Sequence, residues 1–491
     1  MQARVAELRN ASLHSSAAYF LAFASFLYLS HWPLLRLPYF WDEAGQFVPA
    51  ALDLLHSGGW IPHSVVPNIH PPAVVAYLAA WWRILGADPL TTRAVMLLLA
   101  AWGAFTTYLL ARELCRELPE AASLFAAGFL VVSPLFFAQS MLAELDAPAM
   151  LFTALALLLF LRERMGSAVA ASIALVLVKE TGLAVPLVLG IWLARQRRWK
   201  HASWFALPAV VLALWIGFLA YRTGYWGGNP QFTQYNVRYA FEPGRIAISL
   251  ARRLYYLFVA DFHWIGTASI VYTLRSSRLF ASRPWRVAGS LVLAHVLVVS
   301  LFGGAVLERY LLPVMPVVYA AMAGALWVAG QARRLPLAAL LVGLAASNWI
   351  NPLYPFPYED NLAFVDFVKL HQEAAAWLSE RYGHMPIGTE WPMTAELSRP
   401  ELGFVRSPLE VREVLSPTDA DGAGLVVVFS RDWEPKHNLM RYRPVRDLWE
   451  RVYPDASLPG AAALLTLPRV AHFEQRGQWV DIYRNPRYHS Q

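Results

Sequence analysis

Long apolar runs follow one another through most of this chain, and clusters of basic residues fall after every second run. Such runs lie near 17–35, 91–112, 120–138, 143–161, 166–178, 182–194, 202–220, 254–274, 286–303, 309–329 and 335–350. A helix needs about 20 apolar residues to cross a bilayer, and fewer where the bilayer thins. The basic groups are Arg4/Arg9, Arg112/Arg116, Arg162/Arg164, Arg195/Arg197/Arg198/Lys200, Arg275/Arg278/Arg283/Arg286 and Arg333/Arg334. Short loops rich in Lys and Arg stay in the cytoplasm, so all six groups are expected there. Charged residues make up only 15% of the 491, against 57% hydrophobic. A soluble globule carries roughly 25% charge, so this chain reads as a polytopic α-helical membrane protein with about eleven transmembrane helices.

The net charge of +7 is accounted for by these loops and does not indicate nucleic-acid binding. Cys115 is the single cysteine, which excludes an intramolecular disulfide. Met1–Ser16 is polar, and the run after it reads as a first anchor instead of a cleaved leader. Residues 166–194 decide the parity. One helix would hold Lys179 and Glu180 at mid-membrane, and a buried Lys costs roughly 2.5–3.5 kcal/mol on insertion scales. Two short spans meeting at a turn avoid this cost and keep every basic loop on one side. That reading places the N-terminus in the cytoplasm and the C-terminus outside the inner or plasma membrane.

Residues 1–350 are then a transmembrane module with two large outer loops, 36–90 and 222–253. After the Pro/aromatic linker that begins Asn351-Pro352-Leu353-Tyr354, residues 351–491 alternate a helical pattern (Phe364–Arg381) with strand-like runs (Gly424–Ser430, Trp479–Tyr483). This is expected to be a soluble extracytoplasmic α/β domain.

The first outer loop carries adjacent carboxylates, Asp42 and Glu43, inside the aromatic cluster Tyr39-Phe40-Trp41. A partly desolvated carboxylate at a bilayer surface suits a general base acting on a substrate from the lipid phase. The plain alternative is a helix cap, Asp42, followed by a dipole-favoured Glu43. Asp146, two residues before Pro148, is either a cap or a second carboxylate facing the same cavity. Lys179-Glu180 and Glu308-Arg309-Tyr310 stand at outer ends of spans, where a cation can hold a lipid phosphate and Arg can do so through two hydrogen bonds. Their alternatives are a self-neutralising pair and a snorkelling arginine. Arg222, Arg238, Arg245, Arg252 and Arg253 make the second outer loop basic, which suits an anionic ligand or anionic headgroups. His56, His63, His70 and His263 form no compact metal motif. No Walker A, GxGxxG or GxSxG signature occurs.

Four of these features together resemble a GT-C glycosyltransferase of the protein O-mannosyltransferase type, a superfamily that includes the lipid A aminoarabinose transferases. They are Tyr39-Phe40-Trp41-Asp42-Glu43 after span one, His70-Pro71-Pro72, Leu145-Asp146-Ala147-Pro148 opening span four, and Arg309-Tyr310 with Pro313 and Pro316 in span ten. The resemblance covers residues 15–350. It implies the GT-C fold with outer juxtamembrane helices flanking 58–72. It also implies an inverting transfer of a sugar from a polyprenyl-phosphate donor to a lipid, glycan or protein acceptor hydroxyl outside the membrane. Asp42 would be the base, Glu43 would orient it, and Asp146 would bind substrate. Lys179 and Arg309 would stabilise the departing phosphate, with His70, Glu180, Arg238, Arg245 and Tyr310 as further substrate-binding candidates. The aminoarabinose transferases carry an acidic residue and Lys before the Pro-Pro step, where this chain has Ile69-His70, so no metal ligand set is assigned. The rival reading is a transporter or flippase of a lipid-linked sugar, which would use the same cavity and cations. Against it stand the absence of a repeat and the outer placement of the charged candidates.

Overall fold

The computed structural model describes residues 2–330, 334–414, 422–430, 439–452, 467–486 and 488. Arg333 of the sixth basic group, and the side chains of Arg4 and Arg9 of the first, fall outside these described residues.

Each expected span overlies helix, and four described helices are long and apolar enough to cross a membrane: Pro89–Leu114, Trp199–Thr223, Arg283–Leu301 and Glu308–Val328. The chain is an integral membrane protein with several helical spans. Most of the other expected spans are shorter apolar helices, among them Glu120–Val132, Asp146–Leu161, Met165–Val178 and Arg334–Ser347. Pro89–Leu114 is the hub: 72% of its apolar window is buried, against 22% for the peripheral Trp199–Thr223. Its start is fixed by Asp88, whose carboxylate accepts the Thr91 N–H at 2.9 Å, with Pro89 in the first turn. The hub packs closely on Asp146–Leu161 because Gly103 faces Met150, where a Cβ would lie 2.7 Å from the Met150 methyl.

Two expected regions differ from their simple reading. The span expected at 254–274 is not one straight helix. Pro243–Phe258 and His263–Ser276 meet at 84°. Asp261 and Phe262 adopt left-handed backbone conformations there, with φ of 49° and 67°. The turned-out Phe262 ring sits where a Cβ on Gly343 would lie only 2.4 Å away. The segment expected as an outer loop, 222–253, is largely helical, and its last part belongs to Pro243–Phe258. That helix buries Arg245, Ser249 and Arg253 and exposes Leu254, Tyr255 and Phe258. Such a distribution suits a helix lying along a membrane interface with its apolar side outward.

Ion pairs mark one end of the helical body. Glu113 pairs with Arg116 and, at 3.4 Å, with Arg162. Glu163 pairs with Arg198 at 2.8 Å and Arg283 at 2.9 Å. Glu163 precedes the helix Met165–Val178, and Arg198 follows the helix Ala184–Arg195. The two helices therefore leave from and return to the same end, turning at the extended Lys179. In the first outer loop, helices Val48–Ser57 and Ala73–Leu85 flank the turn 58–72, as the resemblance implied.

Beyond residue 350, helix Ala363–Tyr382 packs on a five-stranded mixed sheet. Its strands are β1 (Ile387–Thr389), β2 (Val411–Glu413), β3 (Leu425–Phe429), β4 (Arg469–Gln475) and β5 (Gln478–Arg484), in the order β2-β1-β3-β5-β4. β1 pairs in parallel with β2 and β3, while β5 runs antiparallel to β3 and β4. All five residues of β3 are buried, as a central strand requires. This unit is seated on the first outer loop. Phe40 packs on Phe364 and Phe367, Trp41 packs edge-on against Trp391 at 4.7 Å, and the Tyr39 N–H donates to the Leu402 carbonyl at 3.2 Å.

Candidate functional site

Opposite the basic end, a cavity of about 1180 Å³ lies between the first outer loop, the turn 144–146, the break at 179–181, the segment 303–310 and the linker 355–359. Its polar wall includes Asp42, His70, Glu144, Asp146, Lys179, Glu180, Arg252, Arg309, Tyr310 and Glu359. Its apolar wall includes Leu183, Leu187, Leu212, Ile216, Val298 and Phe302.

Arg309 is the centre of the polar wall. Its guanidinium bonds Asp42 and Glu144 and lies 3.6 Å from both Asp146 and Glu359. Asp146 in turn holds the Lys179 ammonium at 2.5 Å, and that ammonium sits 4.1 Å over the Tyr310 ring. His70 and Glu180 form a second pair at 2.9 Å. Four carboxylates thus converge on one guanidinium, with one further cation beside them. Buried carboxylates are costly unless a cation compensates them, so the one guanidinium draws these side chains from four segments together. Glu359, in the linker, shows the limit of this compensation: burial pushes its carboxyl above the usual range, against the pull of Arg309. Its neighbour Asp360 is raised further, first by burial and then by the adjacent Glu308, whose own partner is Arg252.

The Asp42 side chain is 28% exposed, against 6% for Arg309, so its carboxylate meets the cavity space while held by the cation. The turn that presents it is strained: Trp41 has a φ of 42°, a conformation that a bulky residue adopts only when its surroundings enforce it. Those surroundings include Phe367 and Trp391, whose rings meet the Trp41 ring edge-on. Glu43 is fully buried and does not line the cavity. It bonds both terminal nitrogens of Arg93, the Phe40 N–H at 2.9 Å and the Ala143 N–H at 2.6 Å. Arg93 also donates to the Pro38 and Met141 carbonyls. The adjacent acids of the sequence are therefore divided: Asp42 faces the cavity, and Glu43 fastens the Asp42 turn to the turn that carries Glu144 and Asp146.

The structure brings Asp42, Asp146, His70, Lys179, Glu180, Arg309 and Tyr310 to one cavity. It does not bring Arg238 and Arg245 there. Arg238 is exposed, and Arg245 is buried with its guanidinium donating to the carbonyls of Gly303, Gly304 and Ala240. Arg253 likewise donates to the Leu307 and Val299 carbonyls, and only Arg252 of the five basic residues at 222–253 lines the cavity. Glu144 and Glu359 were not among the expected site residues. Glu144 could have been found from its place two residues before Asp146. Glu359 reaches the site through a linker whose path no local pattern encodes. Among the described residues, no three His, Cys, Asp or Glu side chains are grouped so that they could hold a metal ion.

No family model matches the chain, and no curated protein matches it by sequence. In structure it is similar to ArnT from Cupriavidus metallidurans bound to undecaprenyl phosphate, with a TM-score of 0.55 and 16% identity over 97% of this chain and 99% of that one. The apo state of the same ArnT gives 0.55 and 17%, over 96% and 98%. AglB, the archaeal oligosaccharyltransferase of Archaeoglobus fulgidus, in complex with an inhibitory peptide and a dolichol-phosphate, gives 0.50 and 12%, over 95% of this chain and 74% of that one. Over nearly its whole length the chain shares the fold of ArnT.

Proposed function

We propose that this protein is a membrane glycosyltransferase that moves a sugar from a polyprenyl-phosphate donor to an acceptor hydroxyl, with inversion, on the extracytoplasmic side. The observation that carries this reading is the cavity itself. One wall is apolar and suits a prenyl chain, and the other sets a partly exposed carboxylate beside two buried cations. Two proteins with this fold are described with a polyprenyl phosphate: ArnT with undecaprenyl phosphate and AglB with dolichol-phosphate.

In the reaction, Asp42 accepts the proton of the acceptor hydroxyl as the oxygen attacks the anomeric carbon. The bond from that carbon to the phosphate oxygen breaks on the opposite face. Negative charge grows on the leaving phosphate, where Lys179 and Arg309 stabilise it. Tyr310 places its ring against the Lys179 ammonium, and Asp146 fixes that ammonium from the other side. Arg309 is engaged by carboxylates before the donor arrives. A donor phosphate that takes the place of Asp42 on the guanidinium frees the Asp42 oxygen to act as base. Donor binding and base activation are thereby coupled at one residue.

The test is donor consumption by the purified protein in lipid, with a panel of polyprenyl-phosphate sugars and crude extracytoplasmic acceptors. Wild type should release free polyprenyl phosphate. Asp42→Asn should be slower by about 10²–10⁴-fold, the usual worth of a positioned base, with donor affinity near normal. Normal turnover by Asp42→Asn would remove Asp42 from the role of base. Donor binding without release from any donor would turn the reading to a transporter of lipid-linked sugar.

A further inference from the structure

A second cavity, about 590 Å³, lies at the opposite end of the molecule between the helices Ala184–Arg195 and Arg283–Leu301. Trp192, Arg195, Arg286, Gly289, Ser290 and Leu293 line it. Arg195 and Arg286 are exposed and take part in no ion pair among the described residues. Glu163, a carboxylate at the same end, is already shared by Arg198 at 2.8 Å and Arg283 at 2.9 Å. The Trp192 indole N–H is buried and has no hydrogen-bond partner among the described residues. The cavity therefore offers two uncompensated guanidinium groups and a donor without an acceptor.

An apolar stripe runs from this charged pocket along both helices. On the first, Ile191 and Arg195 fall four residues apart on one face, and Ile191 is 46% exposed. On the second, Leu293 and Leu297 follow Arg286 on one face at 62% and 43% exposed. A cationic head with an apolar stripe leading away from it is the complement of one anionic lipid.

We propose that this pocket binds an anionic phospholipid, with the headgroup phosphate on Arg195 and Arg286 and an acyl chain along the stripe of Ile191, Leu293 and Leu297. Guanidinium groups pair with phosphate through charge-assisted hydrogen bonds, and a phosphate oxygen is an acceptor for the Trp192 N–H. A free phosphate would satisfy the head but leave the stripe uncovered. The inference does not depend on the transferase reading, since it concerns the other end of the molecule and requires no turnover.

The test is retention of phosphatidylglycerol by the full-length, detergent-purified protein, measured by native mass spectrometry and by titration, with phosphatidylcholine and inorganic phosphate as the comparison probes. Wild type should hold phosphatidylglycerol at least about tenfold more tightly than phosphatidylcholine, and Arg195→Ala with Arg286→Ala should abolish that preference. Gly289→Trp should do the same without altering charge. No atom lies within 4 Å of a Cβ at Gly289, so the new ring fills the pocket instead of disrupting the fold. Arg278→Ala, an exposed arginine on the same basic end but outside the pocket, should leave retention unchanged. Equal loss in Arg278→Ala would overturn the proposal in favour of diffuse surface charge. Unchanged retention in both pocket variants would also overturn it, as would full displacement of the lipid by inorganic phosphate.

Discussion

The two ends of the helical body solve opposite electrostatic problems. At the cavity end, Asp42, Glu144, Asp146, Glu180 and Glu359 face Lys179, Arg309 and His70, and most of these groups are buried. At the basic end, Arg116, Arg162, Arg198 and Arg283 face Glu113 and Glu163, and the arginines are 31–65% exposed. Water screens the Glu163 pairs, whose side chains are 31–44% exposed, so each of them contributes little and is replaceable. Burial leaves the first set unscreened, so its members hold one another in place and the loss of one leaves another uncompensated. The contrast is between charge left to water and charge held by burial.

The largest effect should come from Arg93, the fully buried partner of Glu43. Arg93→Ala leaves a buried carboxylate with no cation, which costs about 3–5 kcal/mol. A sharp loss of melting temperature in detergent should follow, and Arg93→Met combined with Glu43→Gln should recover most of it. If Arg93→Ala melts like wild type, the buried pair does not hold the two turns together.

Next in size is Arg309→Ala. It leaves Glu144 and Glu359 without their cation and should weaken polyprenyl-phosphate binding by at least about 30-fold, the lower range for a buried charged contact. Arg309→Lys keeps the charge but loses the fork, and should recover only part of that affinity. Equal affinity in wild type and Arg309→Ala would place the phosphate elsewhere.

Trp391→Ala tests whether the C-terminal unit positions the Asp42 turn. Trp391 packs on Trp41 and lies where a Cβ on Gly45 would be 2.8 Å from its ring. Removing it loses an aromatic contact worth about 0.5–1.5 kcal/mol beyond its buried area and relaxes the strained turn. Turnover should fall about tenfold while donor affinity holds, since Lys179 and Arg309 do not touch this ring. A fall in donor affinity of the same size would show that the ring supports the whole cavity.

These contrasts also explain what the sequence made legible. Hydropathy and the spacing of arginines are one-dimensional signals, so the helical stretches and the fold-back at Lys179 could be read directly. Asp42, Asp146, Lys179 and Arg309 could be read as candidates because each sits near one end of an apolar run, a place visible in a linear pattern. The division of labour between Asp42 and Glu43 was not visible, because it is set by Arg93, fifty residues later on the hub helix. Arg245 was misleading for a similar reason: a guanidinium that closes backbone carbonyls looks in sequence like one waiting for an anion. The bend at Asp261–Phe262 depends on a left-handed pair packed on Gly343, a contact between distant segments.

The cavity end also differs in its response to acid. Asp360 lies in the linker outside the spans, and burial with the neighbouring Glu308 raises its carboxyl well above the ordinary 3.8. A raised carboxyl favours the protonated native state, so its contribution to stability is complete below the unfolded value of about 3.8 and is lost as pH rises through the raised native value. Wild type should therefore lose melting temperature as pH rises above the ordinary carboxyl range, and Asp360→Asn should flatten that part of the curve. The same slope in both proteins would assign it to another group.

The smallest effect should be Arg198→Ala at the basic end. Its side chain is 31% exposed and that of Glu163 is 44% exposed, so the pair contributes about 0–1 kcal/mol. Arg283 holds the other Glu163 oxygen at 2.9 Å and remains when Arg198 is removed. A double-mutant cycle on Arg198 and Glu163 should give a coupling that fades in high salt, because exposed charges are screened within about 10 Å at 0.1 M. Glu43 and Arg93, put through the same cycle, should keep their coupling, since both side chains are fully buried. If salt erased both couplings equally, burial would not be what separates the two ends.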